Sequence, residues 1–126
     1  MRLLLDTHAL LWWLDDDPQL GGTARERIRA ADAAFVSAAS LWEIAIKVGI
    51  GKLDADLAAI IDELGPNEFD LLPIQPRHTL AVVRLPSYHR DPFDRMLIAQ
   101  ARCEGLQVVT DDRRFGIYGV DVMACG

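Results

Sequence analysis

Four acidic positions could serve one purpose together: Asp6, whose charge is costly at a strand end if unpaired, Glu43, Asp94, and Asp112 or its neighbour Asp111. Asp6 ends the apolar run Leu3-Leu4-Leu5, so its side chain emerges from a strand with a buried pattern. Glu43 lies in Ser40-Leu41-Trp42-Glu43, early in a helical pattern, and Asp94 lies in His89-Arg90-Asp91-Pro92-Phe93-Asp94-Arg95. Asp112 follows Val108-Val109-Thr110 and its neighbour Asp111. Each acid also has a purely structural explanation. Asp6 can cap the next helix. Ser40 to Glu43 matches a capping box, and Glu43 can pair with Lys47 four residues on. Asp94 suits a first helical turn that has Asp91 as cap and Pro92 as first residue. Asp111 and Asp112 can open a turn or cap Arg113 to Phe115. If the sheet is parallel, all four acids gather at one edge, where like charges repel unless a cation compensates. Oxygen ligands suit magnesium or manganese, which can then offer positive charge to a phosphate.

The elements that must position these acids alternate between strand and helix. Arg2 to Leu5 reads as a buried strand and Thr7 to Leu14 as a helix, broken by Asp15-Asp16-Asp17-Pro18. Thr23 to Glu26 matches a capping box that opens a second helix reaching Ala31. Ala33 to Val36 is a strand, and Ser37 to Val48 a helix closed by Gly49 and Gly51. Asp54 to Leu64 is a helix stopped by Gly65-Pro66, Phe69 to Pro73 a strand, and Arg77 to Leu85 a short helix. The loop Ser87 to Asp91 leads into a helix from Pro92 to Glu104 with Gly105 as its cap. Gln107 to Thr110 is a strand and Val120 to Met123 a fifth, joined through a turn-rich segment with Gly116 and Gly119. Such alternation predicts an α/β sandwich around a mainly parallel sheet of four to five strands, because parallel pairing needs long crossovers. Ligands then collect beyond the carboxyl ends of the strands, where Asp6 and Asp112 lie.

With 126 residues the chain suits one domain over 1–126, able to bury roughly two-thirds of its unfolded surface without staples. A hydrophobic fraction of 51% and a charged fraction of 25% argue against disorder and against a coiled coil. The longest apolar stretches fall far short of the roughly 20 residues of a membrane span. MRLLLD meets an acid too early for a secretory signal, so the expected location is cytoplasmic. Cys103 and Cys125 have no zinc-site spacing and read as reduced packing residues. A net charge of −6 disfavours a protein that coats nucleic acid by broad phosphate neutralisation, and suits one that concentrates carboxylates around cations.

The segments LLLDTHALLWWL, SAASLWEIAIKVGIGKL, HRDPFDRMLIAQA and VVTDDRRF, in this order, resemble PIN-domain proteins of the VapC-type toxin group across nearly the whole chain. The resemblance implies a PIN-like three-layer α/β/α sandwich. It also implies a Mg2+-dependent endoribonuclease with RNA as substrate, forming a homodimer and inhibited by an antitoxin protein. Carried over residue by residue, Asp6, Glu43, Asp94 and Asp112 match the four acids, the pattern Thr-x-Asp-x-x-Phe selecting Asp112 over Asp111. Thr7 and Thr110 sit where the family has small hydroxylic residues that steady carboxylates or waters. The ending Met123-Ala124-Cys125-Gly126 departs from the aromatic ending of close relatives.

Lys47, Arg90 and Arg95 are candidate phosphate contacts, with solvated surface or helix pairing as the alternative for each. His8 and His89 can carry a proton, but the carboxylate chemistry needs neither and both are read as structural. Trp12, Trp13 and Trp42 offer an interface, with core packing accounting for at least one. A haloacid-dehalogenase phosphatase also begins with a strand ending in Asp, but its Asp-x-Asp-x-Thr pattern is absent after Asp6. A non-catalytic PIN-like binding module that uses its acids only as caps is the competing reading of another class.

Overall fold

In the computed structural model, which describes residues 1–126, the strands are β1 Arg2–Leu5, β2 Ala33–Ser37, β3 Phe69–Leu72, β4 Gln107–Val109 and β5 Val122–Met123. The helices are α1 Thr7–Leu14, α2 Gly22–Ala30, α3 Ala38–Gly49, α4 Leu57–Leu64, α5 Pro76–Val83, α6 Pro92–Glu104 and α7 Arg114–Ile117. All four strand pairings are parallel and the order is β3-β2-β1-β4-β5. Because β1 is central, both of its faces are covered, and Leu3, Leu4 and Leu5 are all fully buried. Successive strand side chains point to opposite faces, and the core divides accordingly. Leu3 and Leu5 pack with Leu10 of α1, Ile28 of α2, Ile44 of α3 and Ile60 of α4. Leu4 packs on the other face with Leu97 and Ile98 of α6 and Phe115 of α7. The result is the three-layer α/β/α sandwich the resemblance implies. No helix is long and apolar enough to cross a membrane.

The chain winds outward from β1 through β2 to β3, then returns to build β4 and β5 on the opposite side. The connections leaving β1 and β4 therefore diverge, which opens a crevice at the carboxyl ends of these neighbours. Asp6 follows β1 directly and Asp112 lies three residues after β4, so both acids stand at this crevice.

Several helix starts differ from expectation, each for a local reason. Strand β2 runs straight into α3, so Ser37 is the N-cap, its hydroxyl accepting from Ala39 N at 3.0 Å. Ser40 thus lies inside the helix and forms no capping box with Glu43. Helix α2 starts at Gly22 with Gly21 as N-cap and no side-chain cap, so the Thr23 box is not used. Gly21 N instead bonds Cys125 O at 2.7 Å, and that tertiary anchor sets where the helix begins. Helix α4 starts at Leu57 behind Asp56, and α5 at Pro76 behind a reciprocal cap between Gln75 and His78. The turn-rich segment between β4 and β5 contains α7, and Gly105 closes α6 in the left-handed region at φ 68°.

Leu4 is the central side chain of the α6 face. Leu4→Ala is expected to lower unfolding stability by about 3–5 kcal/mol, read from the midpoint of urea denaturation. A loss below about 1 kcal/mol would contradict this packing.

Candidate active site

Asp6 is both strand end and helix cap: its Oδ1 accepts from Ala9 N at 2.8 Å, while its own N–H donates to Val109 O at 3.1 Å. The Thr110 hydroxyl also donates to the Asp6 carboxylate, and its oxygen accepts from Asp112 N at 3.0 Å. One buried threonine after β4 thus joins the first acid to the fourth. Glu43 caps nothing. It lies in the second turn of α3, buried, with Thr7 donating to Oε1 at 2.7 Å and Lys47 to Oε2 at 2.7 Å. Thr7 is the first residue of α1, so the chain around Asp6 reaches the second acid too, and Ser40 Oγ lies 3.0 Å from the same Thr7 hydroxyl.

Asp94 sits in the first turn of α6, and its N–H donates to the Asp91 cap at 2.9 Å. Its Oδ2 lies 3.0 Å from His89 Nε2, which is also 3.0 Å from Asp112 Oδ2. Asp112 is the most heavily hydrogen-bonded of the four. Its Oδ1 accepts from Arg114 N and Nε, and its Oδ2 from Arg114 Nη2, each at 3.0 Å. Asp111 faces elsewhere and accepts from Cys125 N at 2.7 Å, tying the chain end to β4.

These partners divide the acids. Burial raises the pKa of Asp6 despite the opposing Thr110 and Ala9 hydrogen bonds. Burial, then the charges of Asp91, Glu43, Asp6 and Asp112, push Asp94 up to about 7. Partial burial acts to raise Asp112 as well, but its bonds to Arg114 and His89 outweigh it and hold the group below the usual carboxylate range. The cluster therefore holds two acids whose charge is poorly compensated, Asp6 and Asp94. The Asp112 charge is stabilised by donors, and Glu43 is held by Thr7 and Lys47.

Arg95 does not face this cluster as a phosphate contact. Its guanidinium donates to the carbonyls of Val82, Leu85, Pro86 and His89 at 2.9–3.2 Å, stapling the loop before α6. Arg90 and His8 are exposed, and His8 stacks on Trp12. Trp13 packs edge-on to Phe69 and bonds Asn67, whereas Trp42 is 61% exposed beside Phe93. Cys125 is buried, and burial with the nearby Asp6 and Asp111 charges pushes its thiol up to about 12, while Cys103 is exposed rather than packed. Arg114, inside a run of mixed charges, escapes a reading of the sequence, and His89, which reads there as structural, instead lies beside Asp94 and Asp112.

A PIN domain family profile matches residues 3–120. Ribonuclease VapC22 of Mycobacterium tuberculosis is 33% identical over 122 residues, covering 89% of this chain and 88% of the relative. Among solved structures, DNA-bound VapBC from Salmonella typhimurium superposes with a TM-score of 0.76 at 20% identity, covering 100% of this chain and 99% of that one. VapBC2 from Rickettsia felis, bound to a promoter DNA fragment, gives 0.76 at 14% identity with both chains fully covered. Fold, match and relatives agree, and the chain belongs to the PIN-domain family, among its VapC-type members.

Proposed function

We propose that this protein is a divalent-metal-dependent endoribonuclease, the toxin of a toxin–antitoxin pair, with Asp6, Glu43, Asp94 and Asp112 as its catalytic acids. One observation carries the reading: the charge of Asp94 is opposed by Glu43, Asp6 and Asp112, three acids from three other segments. Caps alone do not call for such a cluster, since Asp91 already caps α6 and Glu43 caps no helix. The curated relative named as a ribonuclease supports the same activity.

A divalent cation fits the residues present. The donors are carboxylate oxygens, the ligands of Mg2+ and, as its substitute, Mn2+. Asp6 and Asp94 lack compensating charge, so they are the primary ligands, with Glu43 and Asp112 completing the negative cradle. When bound, the cation supplies positive charge to the attacked phosphate and acidifies water. The chain's own residues do the rest. Thr7 and Thr110 hold the carboxylates in place, while Lys47 and Arg114, partly or well exposed on Glu43 and Asp112, are placed to meet RNA phosphates.

The antitoxin and a second copy are the proposed protein partners. Trp42, Ile46 and Ile50 form an exposed apolar stripe at four-residue spacing along α3 and its end, which a partner would cover. The superposing structures are VapBC assemblies. A cytoplasmic location fits a toxin acting on cellular RNA.

Purified protein is expected to cut a pool of cellular RNA with Mg2+ or Mn2+ and to stop with chelator. Asp6→Asn and Asp94→Asn are each expected to lower the rate by about 100-fold or more, the size of losing a preorganised charge interaction. Cutting that persists in both variants would reject the assignment.

Metal-free stability gives a second check. The folded Asp94 pKa of about 7 exceeds the ordinary aspartate value of 3.8, so the native state holds the proton more tightly. Its contribution to stability is full below the unfolded pKa and is lost as pH rises towards 7. In chelator at pH 8, Asp94→Asn is expected to raise Tm by about 4 °C or more, the shift that ~1 kcal/mol produces in a domain of this size. The gain should shrink towards pH 5, and a lower Tm at pH 8 would contradict the electrostatics.

Arg114→Ala is expected to raise KM for RNA and to flatten the dependence of log affinity on log salt by about 0.7, one phosphate contact on a single strand. An unchanged slope would remove Arg114 from the RNA path.

A further inference from the structure

We propose that His89 is a positioning residue that donates its single N–H to Asp112, lies against Asp94, and so sets both carboxylates for the cation, an inference resting on the metal-dependent reading above. The ring is 2% exposed and fixed from several sides. Its backbone N–H donates to Tyr118 Oη at 2.8 Å, and that hydroxyl donates to Pro86 O at 2.6 Å. Arg95 holds the His89 carbonyl at 3.1 Å, and Phe115 packs edge-on to the ring at 6.1 Å.

The tautomer follows from the partners. Asp91 N donates to Nδ1 at 3.2 Å, so Nδ1 is an acceptor and carries no hydrogen. Nε2 then bears the proton and donates it to Asp112 Oδ2 at 3.0 Å, with Asp94 Oδ2 beside it at the same distance from the nitrogen. A nitrogen that carries a hydrogen has no lone pair for a metal, so His89 is not a third ligand although its Nε2 lies among potential ligand atoms. A neutral donor between two acids lessens their repulsion and restrains their rotation without adding a charge that competes with the cation. Donors of this kind behind ligating groups typically change metal affinity by about 10–100-fold.

The test compares wild type, His89→Gln and His89→Leu in three readouts: Mn2+ affinity by titration calorimetry, RNA cleavage, and the 15N spectrum of the metal-free wild-type imidazole. The expected spectrum is that of a neutral ring protonated at Nε2. His89→Leu is expected to weaken Mn2+ binding by about 10-fold or more, with cleavage falling alongside. His89→Gln, which keeps an N–H donor, should restore both towards wild type, and it covers the case that the leucine variant fails to fold. A ring protonated at Nδ1 or at both nitrogens overturns the proposal. So does a folded His89→Leu that binds Mn2+ as wild type, or a His89→Gln that binds Mn2+ normally yet does not cut, which would make His89 a proton carrier. Wild type that binds Mn2+ but cuts no RNA rejects the ribonuclease reading alone, and the Mn2+ affinities of the variants still decide for or against His89. Wild type that binds no Mn2+ rejects both.

Discussion

Repulsion among carboxylates at one edge of a parallel sheet is the constraint around which this molecule is arranged. Parallel strands point all their carboxyl ends the same way, and the order β3-β2-β1-β4-β5 sets the diverging connections of β1 and β4 side by side. Whatever follows these two strands shares one crevice. Here that is Asp6 after β1 and the Thr110 to Asp112 turn after β4, with Glu43 brought by α3 and Asp94 by α6. The apolar core on both faces of β1 fixes the register, so the acids cannot move apart without breaking the packing of Leu3, Leu4 and Leu5.

The polar partners relieve this strain unevenly. Arg114 grips Asp112 through both oxygens, Lys47 and Thr7 hold Glu43, and Thr110 links Asp6 to the backbone of Asp112. Asp94 has His89 Nε2 3.0 Å away, but that N–H goes to Asp112, and Asp94 stays elevated to about 7. Uneven compensation has a functional logic: a fully neutralised cluster has no use for a cation, and a wholly uncompensated one opposes folding. On the proposed reading, the shortage of positive charge at Asp6 and Asp94 is what would direct a cation to them.

Much of the frame was legible in the residues. Three consecutive leucines before Asp6, the Asp91-Pro92 helix start and Gly105 at its end are local signals, and the structure carries all three as read. Asp6 and Asp112 stand out in the sequence because each follows an apolar strand, and Asp94 because it lies in the first turn of a helix, whereas Glu43 lies in the second turn of α3. Errors arose where distant contacts override local pattern. Ser40 to Glu43 has capping-box spacing, but β2 runs directly into α3 and hands the cap to Ser37. Arg95 looks like a free cation in sequence, yet its donors meet carbonyls from residues six to thirteen positions away. His89 reads as structural in the sequence, as a histidine near a sheet edge usually is. Its closeness to Asp112 spans 23 residues and depends on how the loop before α6 folds over α7.

The most direct measurement is anomalous diffraction from crystals of the protein grown with Mn2+. A peak within bonding distance of carboxylate oxygens of both Asp6 and Asp94, with His89 Nε2 outside bonding distance, is the predicted result. No peak at the carboxylate cluster, or a peak coordinated by His89 Nε2 in place of Asp6, would contradict the account.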